Sequence, residues 1–217
     1  MTAMQNGVFS IRQPALLHIT DKNDTPYFAA NQSWYAALWR RQAGCGPTVA
    51  STLLWYLAQT KPGCRGLCPY NGATKSGFLR LMNDVWEYVT PDMHGSSIEI
   101  FCDGITRYMR QHGVPPEIEV LNIPKEMALR PSMAELAAFI MRAFERDLPV
   151  AFQNYSNGAL KNLDSWHWVT LVALRRDTWL ATMYDQGRSI DIDLRLWLVT
   201  ATREGKFVAV STDGITK

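Results

Sequence analysis

The sequence predicts an α+β fold, helical in its first two thirds and an antiparallel sheet in its last third. Two observations lead there. Up to about residue 147 the apolar residues recur at the spacing of amphipathic helices. From Pro149 onward the period changes to the alternation of strands, broken by turn residues. Helices followed by hairpin-spaced strands argue against a doubly wound sheet, in which strands and helices alternate. The 217 residues contain no internal repeat and no low-complexity linker, so a single domain over 1–217 is expected.

Taken in order, Val8-Phe9-Ser10-Ile11 and Ala15-Leu16-Leu17-His18-Ile19 read as short strands of an N-terminal arm over residues 1–30, with a turn at Asp21-Lys22-Asn23-Asp24. His18 alternates with apolar neighbours, as an edge-strand side chain does. Asn31 to Trp39 reads as a short helix or turn running into Arg41-Gln42-Ala43-Gly44-Cys45-Gly46-Pro47. That stretch is a tight loop delivering Cys45 onto the first turn of a helix. Gly44 and Gly46 would let the backbone bend and a substrate approach, and Pro47 suits a first helical turn. Val49, Ala50, Leu53, Leu54 and Leu57 mark the buried face, and Pro62-Gly63 stops the helix near Gln59-Thr60. A thiol at that end of a helix feels its positive pole, which favours the nucleophilic thiolate.

Cys64 and Cys68 form a C-x₃-C pair on a Gly/Pro-rich stretch that Cys102, His94 or His112 would have to complete as a zinc site. No C-x₂-C or H-x₃-H partner stands at ligand spacing, so an irregular surface loop and no metal are expected. Phe78, Leu81, Val85 and Val89 mark the next helix, ended by Pro91. Ser96-Ser97-Ile98-Glu99 has capping-box spacing before a stripe of Ile98, Phe101, Ile105, Tyr108 and Met109, closed by Gly113; Cys102 packs on it. A strand over Ile118–Ile123 precedes a second capping box, Ser132 to Glu135, whose helix buries Leu136, Ile140, Ala143 and Phe144. Strands follow at Pro149–Asn154, Trp166–Leu174, Thr178–Tyr184, Ser189–Asp193 and Phe207–Val210, with a polar loop over Tyr155–Asp164 and a hairpin turn at Arg175-Arg176-Asp177.

Composition limits the function. A formal net charge of +2 is too small to draw nucleic acid or an anionic membrane. Met1 to Pro14 has neither a basic n-region nor an apolar h-region, and no apolar stretch reaches the length of a membrane span. The four cysteines, Cys45, Cys64, Cys68 and Cys102, lack disulfide-framework spacing, so a reducing, cytoplasmic location is expected. No nucleotide, flavin or metal motif is present, and no cofactor is expected.

The residues that carry chemistry lie at both ends of the chain. His167 opens one strand and Asp185 follows the next. With a hairpin turn centred on Arg176 they would be cross-strand neighbours. There a carboxylate accepts from one imidazole nitrogen and leaves the other for a nucleophile. Trp34, Tyr35, Trp39, Trp166 and Trp168 gather near the same site, as packing or as a cleft rim.

Cys-Gly-Pro opening a helix, then His-Trp-Val-Thr-Leu-Val opening a strand, then Asp-x-Gly, resembles the papain-like cysteine peptidases. Within them the chain is most similar to the peptidase C39-like group, which includes the bacteriocin-leader (double-glycine) peptidases. The resemblance covers residues 40–58 and 131–199, with 61–112 as a family-specific helical insertion. It implies a papain-like fold, a Cys45 nucleophile, His167 as general base and then acid, and Asp185 as the orienting third member, acting through a thioester on Cys45. The family's oxyanion-hole glutamine stands six residues before the cysteine, where this chain has Trp39. The Cys45 N–H would supply one donor. The other would be Gln42, if the loop turns it inward, or an upstream amide near Asn31 and Gln32, if the arm folds back.

The expectation is therefore a hydrolase acting on a peptide or small amide. An acyltransferase using the same triad and an inactive binding module of the same fold are the alternatives. Product analysis with and without an added amine separates the first two, and loss of the glutamine favours the third.

Overall fold

The computed structural model of the chain describes residues 7–212; the first six residues of the expected N-terminal arm lie outside them. The architecture is α+β. Strands β1 (Val8–Ser10), β4 (Glu117–Ile123), β5 (Val150–Asn154), β6 (His167–Arg175), β7 (Leu180–Asp185), β8 (Arg188–Asp193) and β9 (Gly205–Ser211) form one sheet in the order β4-β9-β5-β6-β7-β8, with β1 paired to β6. Every pairing in it is antiparallel. A separate hairpin joins β2 (His18–Thr20) and β3 (Pro26–Phe28).

The helix expected after the cysteine loop, α2 (Cys45–Thr60), is the central element. Every residue from Gly46 to Ala58 is buried, which exceeds the single buried face that the apolar spacing implies. It packs against β5 and β6 and against α3 (Lys75–Trp86) and α4 (Ile98–Gln111). Of its buried polar side chains, Thr48 has a hydroxyl without a partner, and four others are matched. Ser51 and Thr52 donate back to Pro47 O and Thr48 O, Trp55 Nε1 donates to Leu16 O, and Tyr56 Oη donates to Asp147. α5 (Met133–Glu145) packs on β1, β5 and β6 through Leu136, Ile140, Ala143 and Phe144.

Several expectations are corrected. Ala15–Ile19 is a 3-10 turn over Pro14–Leu17 followed by β2, because Pro14 fixes a helical φ at its start. The capping box at Ser132–Glu135 forms. At α4 it does not: Ser97 caps the helix through Ile100 N, one position later than the Ser96–Glu99 spacing requires. The Cys64–Cys68 stretch is not a surface loop, for both thiols are buried, and burial pushes the Cys68 thiol up. β3 and the short helix α6 (Leu194–Thr200) have no counterpart in the apolar pattern, although Asp193 caps α6 by accepting from Leu196 N.

Candidate active site

Cys45 is the first residue of α2, and only Gly44 separates that helix from α1 (Leu38–Ala43). The flanking glycines serve packing. Neither has a positive φ, and a Cβ at Gly44 would lie 2.3 Å from Arg40 O, while one at Gly46 would lie 2.3 Å from Ser96 Oγ. Helix α1 and the segment before α4 therefore close directly on the cysteine.

His167 is the first residue of β6 and Asp185 the last of β7. His167 Nε2 and Asp185 Oδ1 are 2.8 Å apart. They meet by a different route from the one the hairpin symmetry suggests. The turn runs over Arg176–Trp179 with Trp179 at φ 62°, and a bulge between Leu171 and Ala173 shifts the register, so Thr170 pairs with Tyr184. His167 thus reaches Asp185 diagonally rather than directly across.

The backbone is strained on both sides of this pair. Trp166 has φ 57° and Gln186 φ 48°, left-handed values that cost non-glycine residues about 1–3 kcal/mol each. The N-terminal segment braces the same corner: Phe28 N donates to Gly187 O and Asn31 Nδ2 to Gln186 O, both at 2.9 Å.

His167 is 7% exposed and shares a cavity wall with Cys45. Burial pushes the imidazole toward neutrality, but the hydrogen bonds and charges of Asp185 and Cys45 outweigh it and raise its pKa to about 10. Since Nε2 is engaged by Asp185, Nδ1 is the nitrogen available to the thiol. Cys102, by contrast, is pushed up to about 11 by burial and then by the Glu99 charge.

Two narrow cavities meet at Cys45. One, of about 10 Å³, is lined by Gln32, Thr48, Asp185 and Gln186 among others. Gln32 reaches it because the arm folds back; its Nε2 donates to Arg41 O at 2.7 Å. Gln42 lies exposed on α1 and lines neither cavity, contrary to the inward turn expected of it: α1 continues through Gln42, leaving no loop there to turn. The other cavity, of about 20 Å³, is lined by Ser96, Gln153, Tyr155, Trp166, His167 and Trp168 with Cys45. Of the aromatic group, Tyr35 and Trp168 are core residues, Trp39 is exposed, and Trp166 forms a rim at 57% exposure.

One group among the described residues brings potential metal ligands within 4.8 Å of one another: Asp164, His167 and Asp185. A cation there would have to break the His167–Asp185 bond. Cys64 and Cys68 belong to no such group.

No family model matches the chain, and no curated protein matches it. Among solved structures the fold is similar to the peptidase domain of Streptococcus ComA, a bifunctional ABC transporter involved in quorum sensing (TM-score 0.40, 12% identity, 77% of this chain and 92% of that one). It is also similar to a double-glycine-motif protease from an AMS/PCAT transporter in complex with the leader peptide (TM-score 0.38, 12% identity, 77% and 84%). A third likeness is UfSP from C. elegans (TM-score 0.49, 9% identity, all of this chain and 36% of that one). Likenesses this distant leave the roles of the site residues to rest on the site's own geometry. No helix among the described residues is long and apolar enough to cross a membrane.

Proposed function

We propose that the chain is a cysteine-dependent hydrolase that cleaves a peptide or small amide bond through a thioester on Cys45. The observation that carries the reading is a buried His167 ring bonded to Asp185 and lining the same small cavity as Cys45. An imidazole whose pKa is raised to about 10 takes the thiol proton at neutral pH, and Asp185 keeps the resulting cation in place.

In this mechanism Cys45 Sγ attacks the substrate carbonyl carbon, and the tetrahedral oxyanion collapses as His167 passes its proton to the departing amine. Water then attacks the thioester carbonyl while His167 takes its proton, and the thiol leaves. The Cys45 backbone N–H is one oxyanion donor. Gln32 is the second in this proposal in preference to Gln42, because it lines the cavity with Cys45 and uses only one Nε2 hydrogen on Arg41 O. A thiol nucleophile works in a reducing compartment, so the proposal includes a cytoplasmic location. Neither nucleic acid, membrane nor cofactor is required.

A peptide library incubated in ¹⁸O-water tests the reading. The expected result is cleavage with one ¹⁸O in the new carboxylate, and none by Cys45→Ala. Cleavage by Cys45→Ala at the wild-type rate would refute it, and amide products formed with an added amine would convert it to acyl transfer.

A further inference from the structure

The cavity lined by Gln153 holds polar atoms that the proposed chemistry does not use. Gln153 is 2% exposed, and its Nε2 donates to Ser96 O and Tyr155 Oη, each at 2.9 Å. With the amide nitrogen pinned, Oε1 is fixed as an acceptor, and it has no partner. Ser96, 5% exposed and lining the same cavity, has an Oγ without a partner as well. Buried acceptors left unmatched are costly, which points to an occupant that donates hydrogen bonds. At about 20 Å³ the space beside Cys45 admits a water-sized group such as a main-chain N–H, and no side chain.

A wider cleft of about 190 Å³ adjoins this cavity. It shares His94, Gly95, Tyr155 and Trp166 with the inner space and adds Asp92 and Glu204. The rings of Tyr155 and Trp166 meet edge to face at 4.9 Å and form an apolar wall. Neither Asp92 nor Glu204 is in an ion pair among the described residues; Asp92 Oδ1 accepts only from His94 N. Their field is felt locally: Tyr155 is held above the usual phenol range, first by burial and then by Glu204, Glu99 and Asp92. Arg203 lies over the Trp166 ring and Lys206 over the Tyr155 ring, but neither lines the cleft, whose acidic side chains are Asp92 and Glu204.

We propose that this side of the cleft binds a substrate residue with a basic side chain next to the scissile bond. Its backbone N–H donates to Gln153 Oε1, and its cation lies along the Trp166–Tyr155 wall near Asp92 and Glu204. The assignment to a substrate rests on the hydrolase reading; the binding itself does not need turnover.

The test uses the full chain as Cys45→Ala and two acetylated tetrapeptide amides that differ only in lysine against norleucine, followed by NMR at the Trp166 indole N–H. The lysine peptide should bind at least about tenfold tighter. Asp92→Asn with Glu204→Gln should bring the two within about twofold of each other. Gln153→Met should weaken both peptides alike, because it removes the acceptor for the main chain. If that variant fails to fold, the surface pair still decides. Equal binding of the two peptides, or a lysine preference that survives the double substitution, overturns the proposal. Wild-type turnover of the same peptides is scored separately. Lysine-selective binding without cleavage sinks the hydrolase reading and leaves the subsite, and cleavage without lysine preference does the reverse.

Discussion

Asp147, buried, and Asp185, with its side chain 10% exposed, are both carboxylates bonded to a ring-bearing side chain, and their surroundings differ. Asp147 Oδ1 accepts from Tyr56 Oη at 2.6 Å and from Arg12 N at 2.7 Å, and Tyr56 Oη accepts in turn from Gln13 N. The knot ties the chain after β1 to α2 and to the residues after α5. Burial, then the bond to Asp147, pushes the Tyr56 phenol up, so it holds its proton. Asp185 instead meets the His167 ring, which in the proposed mechanism gains and loses a proton. In that reading a carboxylate stabilises the fold when its partner is inert, and serves chemistry when its partner can pass a proton on.

The sharpest way to break this contrast is at Asp185. Asp185→Ala should lower kcat by about 10²–10⁴-fold with the fold retained, because His167 loses both its orientation and its countercharge; turnover assays beside thermal melts check it. A smaller loss, about 10²–10³-fold in kcat, is expected of Gln32→Ala if it is the oxyanion donor. Gln42→Ala should leave kcat at wild type, and a reversed pattern would return the role to Gln42. Tyr56→Phe should act on the other carboxylate alone. It should cost about 1–3 kcal/mol in urea unfolding, since Asp147 is left with fewer donors, while kcat/KM stays unchanged. Parallel losses of activity and stability in this variant would erase the distinction between the two sites.

The two carboxylates also differ in what pH does to their partners. His167 has a folded pKa of about 10 against an ordinary 6.5, so its stabilising contribution is full below 6.5 and is lost as pH rises through about 10. The urea midpoint of wild type over His167→Ala should therefore narrow between pH 7 and pH 10.5. A gap that widened with pH would mean that burial, not Asp185 and Cys45, governs the imidazole.

The elements that build the sheet and the central helices were legible because periodicity reports which face is buried. Cys45 stood out through its glycines and proline, although those glycines answer to Arg40 O and Ser96 rather than to a substrate. His167 and Asp185 were paired by hairpin symmetry about Arg176. The left-handed Trp179 and the bulge at Val172 leave no mark in the residue pattern, so the register was wrong while the neighbourhood was right. Gln153 has no signal in the sequence, and Gln32 enters there only as one of two upstream residues near which an amide would serve if the arm folds back. Each is brought to the cysteine by packing across the chain, Gln32 by the folded-back arm and Gln153 by the neighbouring strand β5. The signal that sequence did offer for Gln32 was the absence of a glutamine at position 39, which required an amide from elsewhere.

If Cys45, His167 and Asp185 act as one unit, the reactivity of the cysteines toward alkylation reports it. Native protein is treated with limiting iodoacetamide at mildly acidic pH, and the alkylated positions are mapped in wild type, His167→Ala and Asp185→Ala. Fast, selective modification of Cys45 is expected, slowed strongly by His167→Ala and less by Asp185→Ala, with Cys64 and Cys68 protected by burial and Cys102 by its raised pKa. Uniformly slow labelling of all four cysteines, or Cys45 labelling unaffected by His167→Ala, would contradict it.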